Sequence, residues 1–412
     1  MNGRQAALLA LTSCRRNGAW SDGALKELCA GLDRREAALA SRLCYGVLQN
    51  QMLLDFWLSK FVRGKLQPNV RDILRLALYQ LRFTDKIPPS AAVNEAVEQT
   101  KRSANAQAAR LVNGVLRSIL RAEHLPEPDD LATKYSHPKE LVDLLQKEYG
   151  EKTEALLRSH NAAPPTVLQV NTLKTTTREV LSELEGTDAT YDPVHDCITL
   201  TGGGNLQELP AFREGRIYVQ DTAAKAAVTA AELQPGMRVL DCCAAPGGKS
   251  FAAAVAMKNR GELISCDIHP HKITLIEKGA ERLGIDILTA RLQDASVFVP
   301  EWEETMDAVL CDVPCSGLGV IRKKPDIRYK DLKPTERLPE LQGRILANQS
   351  KYVKRGGVIV YSTCTVLRRE NEAVVEEFLK QKLDFTVCGS KTYLPCDDGT
   401  DGFFVCKLRR KP

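Results

Sequence analysis

The sequence predicts a multidomain chain: an all-α amino-terminal domain, a small α+β insert, and a carboxy-terminal α/β domain that ends in an antiparallel strand pair. Three observations predict it. Apolar residues recur three and four apart from Gln5 to about Arg121, the period of amphipathic helices. From Gly215 short apolar runs alternate with helical stretches of about ten to fifteen residues, the signature of βαβ units. A chain of 412 residues is also too long for one ordinary core, so two or three domains are expected.

The elements follow in order. Segments such as Val70–Leu81 and Ala91–Val97 are amphipathic helices, Pro88-Pro89-Ser90 breaks one helix and caps the next, and Asn113-Gly114-Val115-Leu116-Arg117 lies inside the last long one. Leu125–Asp130 reads as a linker, which sets domain bounds at 1–128, 129–214 and 215–412. In the middle piece Pro138 opens a helix towards Tyr149-Gly150, and Ala162-Ala163-Pro164-Pro165 ends it. Thr166–Asn171 alternates like a strand, Thr177–Leu184 is helical, and Cys197–Leu200 is strand-like before Gly202-Gly203-Gly204. Phe385-Thr386-Val387 and Phe403–Leu408, joined by the turn-rich Asp397–Gly402, form the terminal pair.

Composition narrows the class. Hydrophobic content of 43% and charged content of 26% are those of a globular protein. No stretch approaches the roughly 18 apolar residues that span a bilayer, and Met1–Leu11 has too short an apolar core and too little charge before it for a signal peptide. A cytoplasmic monomer with no membrane partner is expected. Thirteen cysteines, odd in number and scattered, suit a reducing compartment better than a disulfide framework. Cys242/Cys243 and Cys311/Cys315 lack zinc spacing, and His269-Pro270-His271 has no second ligand pair nearby, so no metal is expected. Residues 1–126 hold 19 basic against 10 acidic side chains, a net of +9, and the remainder 38 against 42. That asymmetry fits a polyanion partner, or simply well-solvated arginine-rich helices.

The runs Met237–Leu240, Met306–Cys311 and Gly357–Tyr361 would each deliver polar residues to one edge of a parallel sheet, where open α/β folds bind ligands. Pro246-Gly247-Gly248 lets backbone approach a bound molecule at the start of a helix over Ser250–Met257. It matches neither Gly-x-x-x-x-Gly-Lys-Ser/Thr nor Gly-x-Gly-x-x-Gly, which disfavours nucleoside triphosphates and nicotinamide cofactors. Leu263–Asp267 is a second strand ending in an acid roughly 20 residues past the loop, a position that bonds a ribose hydroxyl and points to an adenosine cofactor. Cys315 in Asp312-Val313-Pro314-Cys315-Ser316-Gly317 and Cys364 in Ser362-Thr363-Cys364-Thr365 bring two thiols to the same edge.

On these motifs, with Cys243-Ala244-Ala245-Pro246-Gly247-Gly248-Lys249 and Gly319–Arg328, the chain resembles the RsmB (Sun/Fmu) family of 16S rRNA cytosine-C(5) methyltransferases over nearly its whole length. Ala92–Val97 and Val112–Arg117 resemble a NusB-type RNA-binding domain. The resemblance implies a Rossmann-like S-adenosylmethionine-dependent catalytic domain. It implies Cys364 as the thiol that adds to carbon 6 of cytosine, Cys315 as the thiol that assists product release, and Asp312 as the group bonding the base edge. By the same resemblance Cys243, Ala244, Ala245, Pro246, Gly247, Gly248 and Lys249 wrap the methionine part of S-adenosyl-L-methionine. Asp267 takes the ribose, Asp294 the adenine amine, and Asp312 lies near the methionine end. Arg322, Lys323, Lys324 and Arg328, with Lys330, form a basic segment that tracks RNA phosphates or is merely a solvated loop.

Lys249, Arg368 and Arg369 are candidate neighbours to lower the Cys364 pKa. Gln169 stands where the family pattern carries a basic residue, and Cys242 and Cys406 replace aliphatic or alanine residues as packing variants. Transfer RNA or another ribosomal cytosine as substrate, and a non-catalytic RNA-binding assembly factor, are the competing readings; intact Cys315, Cys364 and Asp312 argue against the second.

Overall fold

The apolar stripes of the amino-terminal region fold as helices Gly3–Asn17, Ser21–Leu28, Arg34–Phe61, Pro68–Phe83, Pro89–Ser103 and Ala106–Arg121 in a computed structural model that describes residues 1–201 and 206–412. Local chemistry sets their starts. Asn2 and Gln5 form a reciprocal capping box at the first, Asp33 accepts from the Arg35 and Glu36 amides at the third, and Asn105 accepts from Ala108 at the last. At the Pro88-Pro89-Ser90 break Pro88 takes the capping position, with no side-chain bond, and Pro89 opens the helix. Leu43, Leu54, Ile73, Leu78, Leu116 and Ile119 meet in one core. Beside it Arg75, only 7% exposed, is held by Asp55 at 2.5 Å and Asp72 at 3.0 Å.

The structure divides into two units: Met1–Ala162 with Ile321–Lys330, and Ala163–Val320 with Asp331–Pro412. Contacts group helices Leu131–Tyr135, Lys139–Tyr149 and Thr153–His160 with the amino-terminal helices, whereas the sequence grouped them with the α+β insert. The Leu53 amide donates to Ser136 Oγ at 3.1 Å and Trp57 Nε1 to the Pro126 carbonyl at 2.9 Å, which ties this stretch to the long third helix.

Arg328 anchors the remote segment Ile321–Lys330 in the first unit. Its side chain is 1% exposed, and Nη1 donates to the Gln49 carbonyl at 3.0 Å, Asn161 Oδ1 at 2.8 Å and the Tyr135 and Ser136 carbonyls at 3.3 Å. Nη2 reaches the His160 carbonyl at 3.3 Å, and the Tyr329 hydroxyl donates to the Leu48 carbonyl at 2.7 Å. His137 and His160 are buried here, 3.1 Å apart. Burial first, then the Arg328 charge, pushes His160 down to about 3 and His137 well below its ordinary value, so both are neutral at pH 7.

In the second unit a four-stranded antiparallel sheet comprises β1 (Thr166–Val170), β2 (Ala189–Asp192), β3 (Cys197–Leu200) and β4 (Ile217–Val219), in the order β2-β3-β1-β4. β4 pairs with β1, Leu168 opposite Val219, so the expected boundary at 215 falls inside this sheet. The cause is packing: Ile217 and Ala211 share a core with Leu168, Val180 and Ile198. Gln169, 1% exposed, donates to the Gln220 carbonyl at 3.0 Å and is a buried packing residue. The Gly202-Gly203-Gly204 run lies outside the described residues.

The larger sheet holds β5 (Arg238–Asp241), β6 (Glu262–Asp267), β7 (Leu288–Leu292), β8 (Met306–Asp312), β9 (Val353–Thr363), β10 (Phe385–Tyr393) and β11 (Phe403–Arg410). Its order is β10-β11-β9-β8-β5-β6-β7, parallel except that β11 runs antiparallel to both β9 and β10. This is the Rossmann-like arrangement with an antiparallel terminal pair. Cys242 and Cys406 are buried in its core. No helix among the described residues is long and apolar enough to cross a membrane.

Replacing Arg328 with alanine strands several buried carbonyl oxygens, and we expect a loss of about 3 kcal/mol of stability. Urea unfolding followed by near-ultraviolet circular dichroism measures it; an unchanged midpoint would contradict the structural role.

Candidate active site

The parallel register of β8 on β9 sets Cys311 opposite Tyr361 and Asp312 opposite Ser362. Both strands end there, and the two chains leave the sheet side by side. The result is a Cys315 Sγ to Cys364 Sγ distance of 3.2 Å. The loops are sewn together: the Gly319 amide donates to the Cys364 carbonyl at 3.0 Å, the Gly402 amide to the Gly319 carbonyl at 2.8 Å, and the Ser316 and Thr365 hydroxyls meet at 2.7 Å. Gly319 is required, because a Cβ there would sit 1.8 Å from the Gly402 oxygen. Asn371 holds the Thr363-Cys364-Thr365 turn from behind, accepting from Thr363 Oγ1 at 2.5 Å and donating to the Thr365 carbonyl at 3.1 Å.

Asp312 accepts from Lys249 Nζ at 2.8 Å and from Ser362 Oγ at 2.7 Å. Lys249 also lies over the Phe403 ring, 5.0 Å from its centre. Burial works against its charge, but Asp312, Asp241 and Cys364 outweigh that and raise its pKa. The two thiols are pushed apart. Contact with the Cys315 thiol lowers the Cys364 pKa, with Lys249 helping against burial and Asp312. The same contact, then burial and the Cys364 and Glu370 charges, raises Cys315 well above its usual value. Cys364 is the thiol disposed to ionise. The arginines proposed for that task do other work: Arg368 pairs with Glu376 at 2.7 Å, and Arg369 donates to Thr335 Oγ1 at 2.7 Å.

The loop Cys243–Lys249 joins β5 to the helix Gly248–Ala256, which begins two residues earlier than the sequence suggested. Gly247, at φ +112°, caps that helix without a side-chain bond, leaving first-turn N–H groups to meet a carboxylate. Asp267 ends β6, 7% exposed, with Oδ1 accepting the His269 amide at 3.0 Å. Asp294 Oδ1 accepts from the Ser296 amide at 2.8 Å and hydroxyl at 2.7 Å. Anion-seeking amides at a helix start and acids beyond β6 and β7 are a donor set that fits an amino-acid carboxylate, a ribose and an adenine amine. The residues present therefore suit S-adenosylmethionine.

Not all of the basic segment is available to RNA. Arg328 is buried as described, Arg322 is 6% exposed, and Lys324 pairs with Asp22 at 3.2 Å. The expectation that Arg322 and Arg328 track phosphates is corrected: its carbonyl partners commit Arg328 to the helical unit, and burial leaves Arg322 little surface to offer a phosphate.

A family model described as 16S rRNA methyltransferase RsmB/F matches residues 228–409, one described as the NusB family matches 1–121, and an RsmF/B-like ferredoxin-like domain matches 137–207. A protein of Bacillus subtilis (strain 168) named "Probable ribosomal RNA small subunit methyltransferase B" is 38% identical over 442 aligned positions, covering 99% of this chain and 98% of its own. The chain belongs to the ribosomal RNA small subunit methyltransferase B family. The enzyme of that name from Enterobacter sp. (strain 638) is 33% identical over 99% of this chain and 98% of its own. A crystal structure of the protein PH0851 superposes with a TM-score of 0.83 at 27% identity, covering 99% of this chain and 98% of that one. Membership makes this an S-adenosylmethionine-dependent ribosomal RNA methyltransferase.

Sequence reasoning passed over four polar residues at this corner of the fold. Asp241, Gln342, Glu370 and Asn371 are buried around it. Glu370-Asn371 closely follow the Thr-Cys-Thr motif, a polar pair entering a helix, and could have been flagged by that position; Gln342 gave no signal. Asp241 Oδ2 accepts from Ser250 Oγ at 2.7 Å, which is itself bonded by Ser265 at 2.8 Å.

Burial raises Asp241 to about 6 from an ordinary 3.8. Its folded pKa lies above its unfolded value, so the protonated acid favours the fold at low pH and that contribution is lost as pH rises from about 4 to 6. The neutral-pH cost is on the order of 3 kcal/mol. Asp241→Asn should therefore gain stability relative to wild type at pH 7.5 and little at pH 4. Urea midpoints at both pH values test this; an equal change at each would contradict it.

Proposed function

We propose that this protein methylates carbon 5 of one cytosine in 16S rRNA, with Cys364 bonded covalently to carbon 6 of the base during the transfer. The observation that carries the reading is the unequal thiol pair: two sulfurs 3.2 Å apart of which only Cys364 has a lowered pKa. Carbon 5 of cytosine is a poor nucleophile, and a thiolate adding at carbon 6 makes an enamine that accepts a methyl group. S-adenosylmethionine, when bound, supplies that methyl group. Asp312, steadied by Lys249 and Ser362, bonds the base edge and stabilises charge as Cys364 adds. Cys315 assists departure of Cys364 after the carbon 5 proton is lost.

Asp267 and Asp294 are assigned to ribose and adenine, and Cys243 through Lys249 to the methionine part. The helical region 1–128 is assigned to RNA binding, supported by its charge and its NusB-family match. A structured RNA must present its target base unstacked to reach these thiols. The 16S substrate is supported by the description of the matching family model and by the small-subunit names of the relatives.

Labelled methyl transfer to unmodified 16S rRNA, with the product nucleotide mapped, tests the proposal. Wild type should form 5-methylcytosine at one position, and Cys364→Ala should lose transfer by at least about a thousandfold. Activity on transfer RNA alone, or retained turnover in Cys364→Ala, would contradict the substrate or the nucleophile. Cys315→Ala should accumulate a protein–RNA adduct stable on a denaturing gel; rapid turnover without adduct would remove Cys315 from product release.

A further inference from the structure

Glu370 has no exposed surface. Its Oε2 accepts the Ser316 amide at 2.8 Å and Gln342 Nε2 at 3.0 Å, and Oε1 has no hydrogen-bond partner among the described residues. Gln342 Nε2 also donates to the Pro314 carbonyl at 3.0 Å, and the Tyr361 hydroxyl donates to the Glu370 carbonyl at 2.6 Å. Both neighbours of Cys315, Pro314 and Ser316, are thus held by the Glu370–Gln342 pair. No salt bridge offsets the burial of this carboxylate among the described residues, although a glutamine would accept the Ser316 amide at lower desolvation cost. An acid at this position needs a reason beyond holding the loop.

We propose that Glu370 is a positioning residue for Cys315: it fixes that thiol beside Cys364 and keeps the proton of the pair on Cys315. The inference rests on the reading of Cys364 as nucleophile and Cys315 as the release thiol. With Cys315 protonated, its S–H donates to the Cys364 thiolate before attack. At release the carbon 6–sulfur bond breaks, the electron pair returns to Cys364 sulfur, and the same S–H stabilises the departing thiolate. No proton passes between the two sulfurs. The ionisable groups facing this corner are Cys311 and Asp312 from β8, Tyr361 and Cys364 from β9 and its exit, Lys249 from the cofactor-loop helix, and Glu370 itself. Of these, Glu370 is the one whose side chain bonds the backbone next to Cys315.

The test uses the full chain in a Cys364→Ser background, alkylated with iodoacetamide across pH, with the Cys315 peptide quantified by mass spectrometry. Glu370→Gln keeps an acceptor for Ser316 and removes the charge. It should lower the pH of half-maximal Cys315 alkylation by about one unit; an unchanged midpoint in a folded variant overturns the proposal. Should Glu370→Gln not fold, Glu370→Asp withdraws the charge by one methylene and should shift the midpoint in the same direction by less; no shift again overturns it. A purely structural role would not move a titration midpoint. Because alkylation needs neither RNA nor methyl donor, its outcome is separate from failure of wild type to methylate RNA.

Discussion

The pairing of β8 with β9 is the constraint on which the rest of the site depends. Its register ends both strands at one level, so that loops leaving Asp312 and Ser362 bring two sulfurs within 3.2 Å. Two thiols this close do not ionise independently. A negative charge on one disfavours the same charge on the other, and the surroundings decide which takes it. Contact between the thiols is the largest influence on both: it favours charge on Cys364, where Lys249 adds to it against burial and Asp312, and it disfavours charge on Cys315, where burial and Glu370 add to it. The loops are tied by backbone bonds through Gly319 and Gly402, where a methyl group would not fit.

The segment that follows the Pro-Cys motif shows how a motif can serve the fold as well as the chemistry. Its most basic-looking stretch sends Arg328 into the helical unit, where one guanidinium satisfies carbonyls from several chain turns. A buried arginine of this kind is held by many acceptors, and its charge adds to the burial that keeps two neighbouring histidines neutral. Charge counted along a sequence cannot distinguish it from an exposed phosphate contact.

Much of the architecture was legible for physical reasons. Helical periodicity fixed the type of the amino-terminal elements, as at Pro68–Phe83, and apolar runs ending in polar motifs marked β5, β6, β8 and β9. What was not legible depended on tertiary context. β4 is three residues long, too short to declare which sheet it joins, and β7 is an edge strand with little apolar signal. Helices 131–160 carried no mark of the partner they pack on. Within the site the motif residues Lys249, Asp312, Cys315, Ser362 and Cys364 could be named in advance, whereas Gln342 is brought in by a helix 27 positions after Cys315 and has meaning only in space.

The most direct test of the central claim is identification of the protein residue bonded to 16S rRNA in which cytosines carry fluorine at carbon 5, a substituent that cannot leave as a proton does and so arrests the reaction after addition. Peptide mass spectrometry of the arrested complex should find the nucleotide on Cys364. A nucleotide on Cys315, or methyl transfer to ordinary 16S rRNA with no covalent complex on the fluorinated RNA, would contradict the account.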